Sequence, residues 1–244
     1  MSSISSTNTF LLDLLAKSTP PEGTAVLAAF QSEGRGQIGR NWQSASGMNL
    51  LCSFLLYPHA LTAADQFVLA QIASLGLYDA FRDALPGLAI KWPNDLLLDD
   101  RKLAGILIQN QWQGSTLKAS VIGIGLNVNQ TEFDLPDSHP HSLRLYTGQH
   151  HDIETVFAQV ARSVESRYRQ WQEGGAQTIR ADYHQALYLL DQRSSFEDVL
   201  QQRTFDGWIR GVNQNGLLRV EDGSTGLVRT YQHKEIRYLC KPSF

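Results

Sequence analysis

Lys91-Trp92-Pro93-Asn94-Asp95, closely followed by Arg101-Lys102-Leu103-Ala104-Gly105, concentrates cationic and polar groups at a tight turn between apolar runs. Pro93 cannot donate to a sheet ladder and restricts Trp92 to extended geometry, so the chain should kink there before a strand begins at Asp95. With Asp99-Asp100 as a two-residue turn, Leu97 falls opposite Lys102 and Asn94 opposite Gly105. Alternating faces then make Asp95 and Lys102 diagonal neighbours, roughly 7 Å apart at the backbone. A carboxylate would orient an ammonium there, and the ammonium could neutralise an anionic substrate. Gly105 leaves room for a ligand or another backbone beside Asn94. The bland alternatives are an exposed turn lysine at 102 and a snorkelling strand-end lysine at 91.

A second cluster, Gln31-Ser32-Glu33-Gly34-Arg35-Gly36-Gln37-Ile38-Gly39-Arg40-Asn41-Trp42, joins the apolar runs 25–30 and 49–56. Its glycines let successive backbone N–H groups turn toward one point, while Arg35 and Arg40 supply forked cations suited to phosphate or carboxylate. Trp42 adds a flat face for stacking. The chain contains no GxxxxGK[ST] stretch, so nucleotide binding would not use a P-loop.

The elements that must carry these clusters are short. Ser6 or Thr7 is an expected N-cap for a helix with Phe10, Leu11, Leu14 and Leu15 at helical spacing, ending before Pro20-Pro21. Longer helices are expected over 65–84, 153–172 and 177–190, with strands near 25–30, 50–56, 88–92, 95–98, 102–113 and 118–126. Hairpins dominate, which favours an α+β fold with a mixed, mostly antiparallel sheet and flanking helices over alternating βαβ units. After Phe205, Asn215-Gly216 and Asp222-Gly223 split short β runs, so residues 192–244 are expected to form a small SH3-like β-barrel beside a catalytic domain at 1–191.

Composition narrows the function classes. Net charge is −3, with basic residues scattered outside the glycine-rich loop, which argues against nucleic acid as a partner. Cys52 and Cys240 fit neither a zinc spacing nor a disulfide framework, and with no signal peptide or apolar membrane span the expectation is cytoplasmic. His139, His141, His150 and His151 look like paired metal ligands but lack a completing Cys or carboxylate, so they are read as decorating a solvated loop. No elbow motif surrounds any serine, and Gly123-Ile124-Gly125 is not followed by a dinucleotide fingerprint.

Five motifs taken together resemble the biotin protein ligases. They are Ser6-Thr7-Asn8 before the first helix, Gly34-Arg35-Gly36 with Gly39-Arg40 and Trp42, Lys91 to Asp95, Arg101 to Gly105, and Gly123-Ile124-Gly125-Leu126-Asn127. The resemblance implies that Ser6, Thr7, Asn8 and Gln31 meet the ureido ring of biotin. It places Gly34, Arg35, Gly36, Gln37 and Arg40 in a loop that closes over biotin and its adenylate. Trp42 would stack on adenine, Asn94 and Asn127 would lie at the nucleotide pocket, Lys91 and Gly105 join the residues expected to bind biotin or ATP, and Lys102 would touch the activated carboxyl and the α-phosphate. Catalytic weight falls on Lys102, Arg35 and Asp95. No protein metal site is assigned; Mg²⁺ would arrive with ATP, near Asp95. The implied partner is the biotin carboxyl carrier domain of a carboxylase, with a homodimer among the assemblies left open.

Three departures accompany the resemblance. Gln37 and Ile38 stand where many members carry basic residues, His233-Lys234-Glu235-Ile236-Arg237 replaces a C-terminal motif, and no winged helix precedes residue 1. The last leads to the expectation of a form without a DNA-binding domain. A lipoate or other acyl ligase and a non-catalytic biotin-binding module are the competing readings.

Overall fold

The computed structural model describes residues 1–37, 41–59, 61–134 and 140–239; Arg40, His139 and Cys240 lie outside them. The elements run β1 (Ser3–Ile4), α1 (Thr7–Lys17), β2 (Ala25–Ala28), β3 (Phe30–Gln31), β4 (Leu50–Leu56), α2 (Phe67–Phe81), β5 (Leu88–Lys91), β6 (Asp95–Leu98), β7 (Arg101–Gln113) and β8 (Thr116–Leu126). Next come α3 (Leu143–Thr147), α4 (Ile153–Gln172), α5 (Ala176–Gln185), β9 (Arg193–Asp198), β10 (Arg203–Val212), β11 (Leu218–Asp222), β12 (Val228–Tyr231) and β13 (Ile236–Tyr238). This is a mixed α+β architecture. Six strands in the order β2-β4-β8-β7-β6-β5 form one sheet, antiparallel at every ladder. A separate two-stranded ladder pairs β1 with β3 in parallel.

Period-2 alternation gives the central sheet two different faces. Leu50, Cys52, Phe54 and Leu56 of β4, with Ile122, Ile124 and Leu126 of β8, join the large core built on α2, α4 and α5. The alternate residues Leu55, Ala119 and Val121 pack under Leu11 of α1 in a smaller cluster. Further along that second face, β8 carries Gly123 and Gly125 where apolar side chains would otherwise continue, and Gly105 pairs with Gly125 across β7. One sheet face is therefore core throughout; the other is core at one end and bare backbone at the other.

The β6–β7 hairpin turns through Asp99 and Asp100, both with positive φ (49° and 64°), as a two-residue primed turn requires. Leu97 pairs with Lys102, as the sequence predicts. A bulge then shifts the register, so Asp95 rather than Asn94 lies opposite Gly105. Leu103 is the extra residue, and its side chain is fully buried. The Trp92–Pro93 peptide at the preceding turn is cis.

Two expected helices end early. The long helix spans Phe67–Phe81 behind a 3-10 turn at Ala63–Asp65, in place of 65–84. The last helix stops at Gln185, not at Leu190. The following chain turns to serve the edge strand: Ile90 N–H donates to the Ala186 carbonyl and Tyr188 N–H to the Ile90 carbonyl, both at 2.8 Å. Edge groups of β5 that would lack partners win over helix continuation.

The C-terminal β-rich region is a five-stranded antiparallel sheet in the order β12-β11-β10-β9-β13. It meets the central sheet at the Trp92 turn, where the indole Nε1 donates to the Gly216 carbonyl at 2.9 Å and the ring packs edge-on to His233. Tyr183 of α5 donates from its hydroxyl to the Pro93 carbonyl at 3.3 Å. Trp92→Phe leaves the Gly216 carbonyl without its donor, so denaturant unfolding should give a loss of about 1–3 kcal/mol; unchanged stability would mean that this bond is replaced by solvent.

Candidate active site

The bare end of the sheet opens into a cavity of about 900 Å³, within the size range of small-molecule sites. Its wall includes Ser6, Thr7, Asn8, Gln31, Arg35, Gly36, Gln37 and Trp42 from the N-terminal third. Lys91, Asn94, Asp95, Lys102 and Gly105 come from the hairpin. Of the residues expected at the site, Gly34 and Asn127 do not line it, and Arg40 lies outside the described residues.

At one end the helix α1 begins. Ser6, Thr7 and Asn8 are nearly sealed, at 3, 4 and 2% exposure. Ser6 occupies the N-cap position without a side-chain cap bond. Gln31 satisfies the helix start instead, since its Oε1 accepts from Thr7 N at 2.7 Å and from Thr7 Oγ1 at 3.0 Å. The β1–β3 ladder pairs Ile4 with Gln31 and so fixes this strand beside the helix start. Asn8 reaches across the sheet, donating from Nδ2 to Gln109 Oε1 at 2.8 Å and to the Leu107 carbonyl at 3.3 Å. A Cβ on Gly123 would sit 2.3 Å from Asn8 Oδ1, so only glycine admits this side chain.

Trp42 lies on the next stretch of bare backbone. A Cβ on Gly125 would fall 2.5–2.8 Å from its ring atoms, and one on Gly105 3.1 Å from Cζ3. The glycine-rich loop is pinned at its base, with Trp42 N–H donating to the Gly34 carbonyl at 2.9 Å and an antiparallel bridge between Arg35 and Asn41. Beside the indole, Lys102 Nζ is 2.8 Å from Asp95 Oδ1 and 5.8 Å from the Trp42 ring centroid. The diagonal relation across the hairpin thus becomes a direct ion pair. Asn94 is latched to β7 by its side-chain donation to the Ile106 carbonyl and by Ile106 N–H to its own carbonyl.

Asn127 works behind the wall. It is 3% exposed; its N–H donates to the Leu103 carbonyl and its Nδ2 to the His141 carbonyl, with Lys102's carbonyl 3.4 Å away. His141, expected on a solvated loop, is instead buried, and its N–H donates to the Lys102 carbonyl. No group of three His, Cys, Asp or Glu that could hold a metal occurs among the described residues.

The C-terminal sheet supplies wall residues that the motif reading did not assign to the site: His233, Lys234, Ile236, Arg237 and Tyr238. The Lys91 ammonium lies 4.9 Å from the Tyr238 ring centroid, and burial pushes that phenol well above its ordinary pKa. The only trace in the sequence was the unusual His233–Arg237 run. Cys52 also reaches the wall, but burial raises its thiol far above the usual range. It stays a neutral thiol and is no nucleophile.

Cations outnumber carboxylates along the wall, although Arg237 is also paired with Glu197 at 3.0 Å. Arg35, Lys91, Lys102, Lys234 and Arg237 line the cavity against one carboxylate, Asp95, among the described wall residues. Such a concave cluster concentrates anions even though the chain as a whole is at −3.

The fold is shared with a biotin protein ligase from Aquifex aeolicus solved with biotin and ATP, at a TM-score of 0.76 and 23% identity, covering 98% of this chain and 97% of that one. Residues 1–127 match the biotin/lipoate A/B protein ligase family model. The bifunctional ligase/repressor BirA of Bacillus subtilis is 31% identical over 223 residues, which is 89% of this chain and 67% of the relative. That of Bacillus spizizenii is 32% identical over 213 residues, covering 85% and 64%. The chain belongs to the biotin/lipoate A/B protein ligase family and spans about two thirds of the length of these two relatives.

The His141 environment makes a pH prediction. Burial, then the nearby Arg101, hold its imidazole below the ordinary 6.5, only partly countered by Asp99. The folded state keeps the ring neutral while the unfolded chain protonates, so stability is full above about pH 6.5 and falls as pH drops below it. Thermal unfolding followed from about pH 7 to 5 should fall more steeply for the wild type than for His141→Gln; parallel profiles would remove His141 as a source of the acid sensitivity.

Proposed function

We propose that this chain is a biotin protein ligase, joining biotin to ATP as biotinyl-5'-AMP and passing the acyl group to a lysine of a biotin carboxyl carrier domain. The make-up of the cavity wall carries this reading. Neutral hydrogen-bonding groups on Ser6, Thr7, Asn8 and Gln31 meet at the start of α1, and five cationic side chains line the same cavity. Biotin matches both, with a neutral ureido head and an anionic tail. A dithiolane head, as in lipoate, offers no hydrogen-bonding partner for the sealed Ser6, Thr7 and Asn8 or for the half-buried Gln31, which favours biotin within the family.

In the first step a biotin carboxylate oxygen attacks the α-phosphorus of ATP and pyrophosphate leaves. Two anions must meet, so the protein contributes positioning and charge neutralisation. Lys102 is assigned to the carboxylate and the α-phosphate, with Asp95 orienting its ammonium, and Arg35 to the phosphates from the glycine-rich loop. Gly36, Gln37 and Arg40 belong to that loop, Trp42 to the adenine face, and Lys91 and Asn94 to the nucleotide side. Gly34 and Asn127 act by holding Trp42 and Lys102 in place.

Asp95 is a suitable oxygen donor for Mg²⁺, which usually takes one or two carboxylates with substrate phosphates. The ion would supply further neutralisation of phosphate charge. In the second step the carrier's lysine amine attacks the activated acyl carbon, and AMP leaves. The reading takes a cytoplasmic protein with residues 1–191 as the catalytic domain and 192–244 as an SH3-like barrel that closes the nucleotide side. It assigns no nucleic-acid partner, in keeping with the negative net charge, and leaves a homodimer open.

Pyrophosphate release should require biotin and ATP together, and lipoate should not replace biotin; release with lipoate alone would move the chain to the other branch of the family. Lys102→Ala should remain folded, since its side chain is 36% exposed and outside the core. It should lose about 10²–10³ in adenylation rate, as when one oxyanion donor is removed, or about 2.7–4 kcal/mol. An unchanged rate would take Lys102 out of the mechanism.

A further inference from the structure

Strand β4 is buried along its whole length, and Ser53 is its one hydroxyl, at 0% exposure on the face turned to α1. Ser53 Oγ lies 2.7 Å from Thr7 Oγ1 and 2.6 Å from Asn8 Oδ1. It does not line the cavity, so it touches no ligand there.

A count of hydrogens gives this contact a direction. Thr7 has one hydroxyl hydrogen, and that goes to Gln31 Oε1, so toward Ser53 the threonine oxygen can only accept. Asn8 points its Nδ2 at Gln109 and the Leu107 carbonyl, which leaves Oδ1 as an acceptor. Ser53 therefore donates its single hydrogen to two acceptors, and donation runs from Ser53 to Thr7 to Gln31. Gln31 Oε1 already accepts twice within the protein. The carboxamide can then offer a ligand only its N–H groups.

We propose that Ser53 is a positioning residue that sets the hydrogen-bond polarity of the neutral end of the cavity. Through Thr7 it holds Gln31 as a donor, and so selects a substrate head that presents an acceptor carbonyl there. This rests on the biotin reading, whose ureido carbonyl is such an acceptor. Without the Ser53 hydrogen, the Thr7 hydroxyl can turn toward Asn8 Oδ1 and the Gln31 carboxamide loses one of the bonds that fix its orientation.

The test is steady-state pyrophosphate release by Ser53→Ala against the wild type, with biotin and with 2-iminobiotin, whose ring carbonyl is replaced by C=NH. Expected are a rise of about five- to tenfold in KM for biotin, the size of one lost hydrogen bond, kcat and KM for ATP within about twofold, and a smaller preference for biotin over the imino analogue. Ser53→Cys, which keeps a weak donor of similar size, should recover part of the biotin KM. An unchanged biotin KM overturns the proposal. So does a fall in kcat that tracks a lowered thermal midpoint, since that marks a purely structural serine. A wild-type protein that releases no pyrophosphate with biotin would fail earlier and overturn the ligase reading itself.

Discussion

The site depends on three missing side chains. Gly105, Gly123 and Gly125 occupy the α1-facing side of β7 and β8, where the pattern set by Ala119 and Val121 would otherwise extend the apolar core. Both Asn8 and the Trp42 indole take the volume that a methyl group at 123 or 125 would fill. The cavity is thus a region where the sheet surface was left uncovered while its opposite face remains core. Because β-ladders surround those glycines on both sides, the floor is rigid, and polar groups placed on it keep their geometry.

Charge is arranged on top of that floor in a way that the whole chain conceals. The protein is at −3 overall, yet the cavity wall draws five cations from three separate parts of the chain. Lys102 and Asp95 come from one hairpin and meet at 2.8 Å. Arg35 comes from the glycine-rich loop, and Lys234 with Arg237 from the C-terminal sheet. The Trp92–Gly216 bond joins that sheet to the hairpin turn, so the β-rich region both lends cations and braces the turn that carries Asp95.

Local chemistry was legible in the sequence where the partner lay within one hairpin. Asp99-Asp100 as a turn, Leu97 opposite Lys102, and the Asp95–Lys102 pair all follow from two-residue turn geometry and period-2 alternation. The bulge at Leu103 was not legible, because burying Leu103 depends on packing from elsewhere in the fold. The same limit hid Ser53, an unremarked serine in an apolar strand whose partners are 45 and 46 positions away. Asn127 is expected at the nucleotide pocket from its motif, but its side chain faces backbone carbonyls behind the wall, a distinction that spacing alone does not make. His141 is expected on a solvated loop from its polar surroundings in sequence, yet it is buried, with its main chain bonded to the Lys102 carbonyl and the Asn127 carboxamide.

A crystal structure of the protein with biotin and a non-hydrolysable ATP analogue would show whether the glycine-lined cavity holds both substrates. Expected are the ureido ring against Thr7 and Gln31, the biotin chain passing beside Asn8 and Trp42, and Lys102 Nζ within hydrogen-bond reach of both the carboxylate and the α-phosphate. A ligand seated elsewhere, for instance in the open cleft beside Asp99, Arg101 and Leu145, or no ligand against Thr7 and Gln31 at saturating concentration, would contradict this placement.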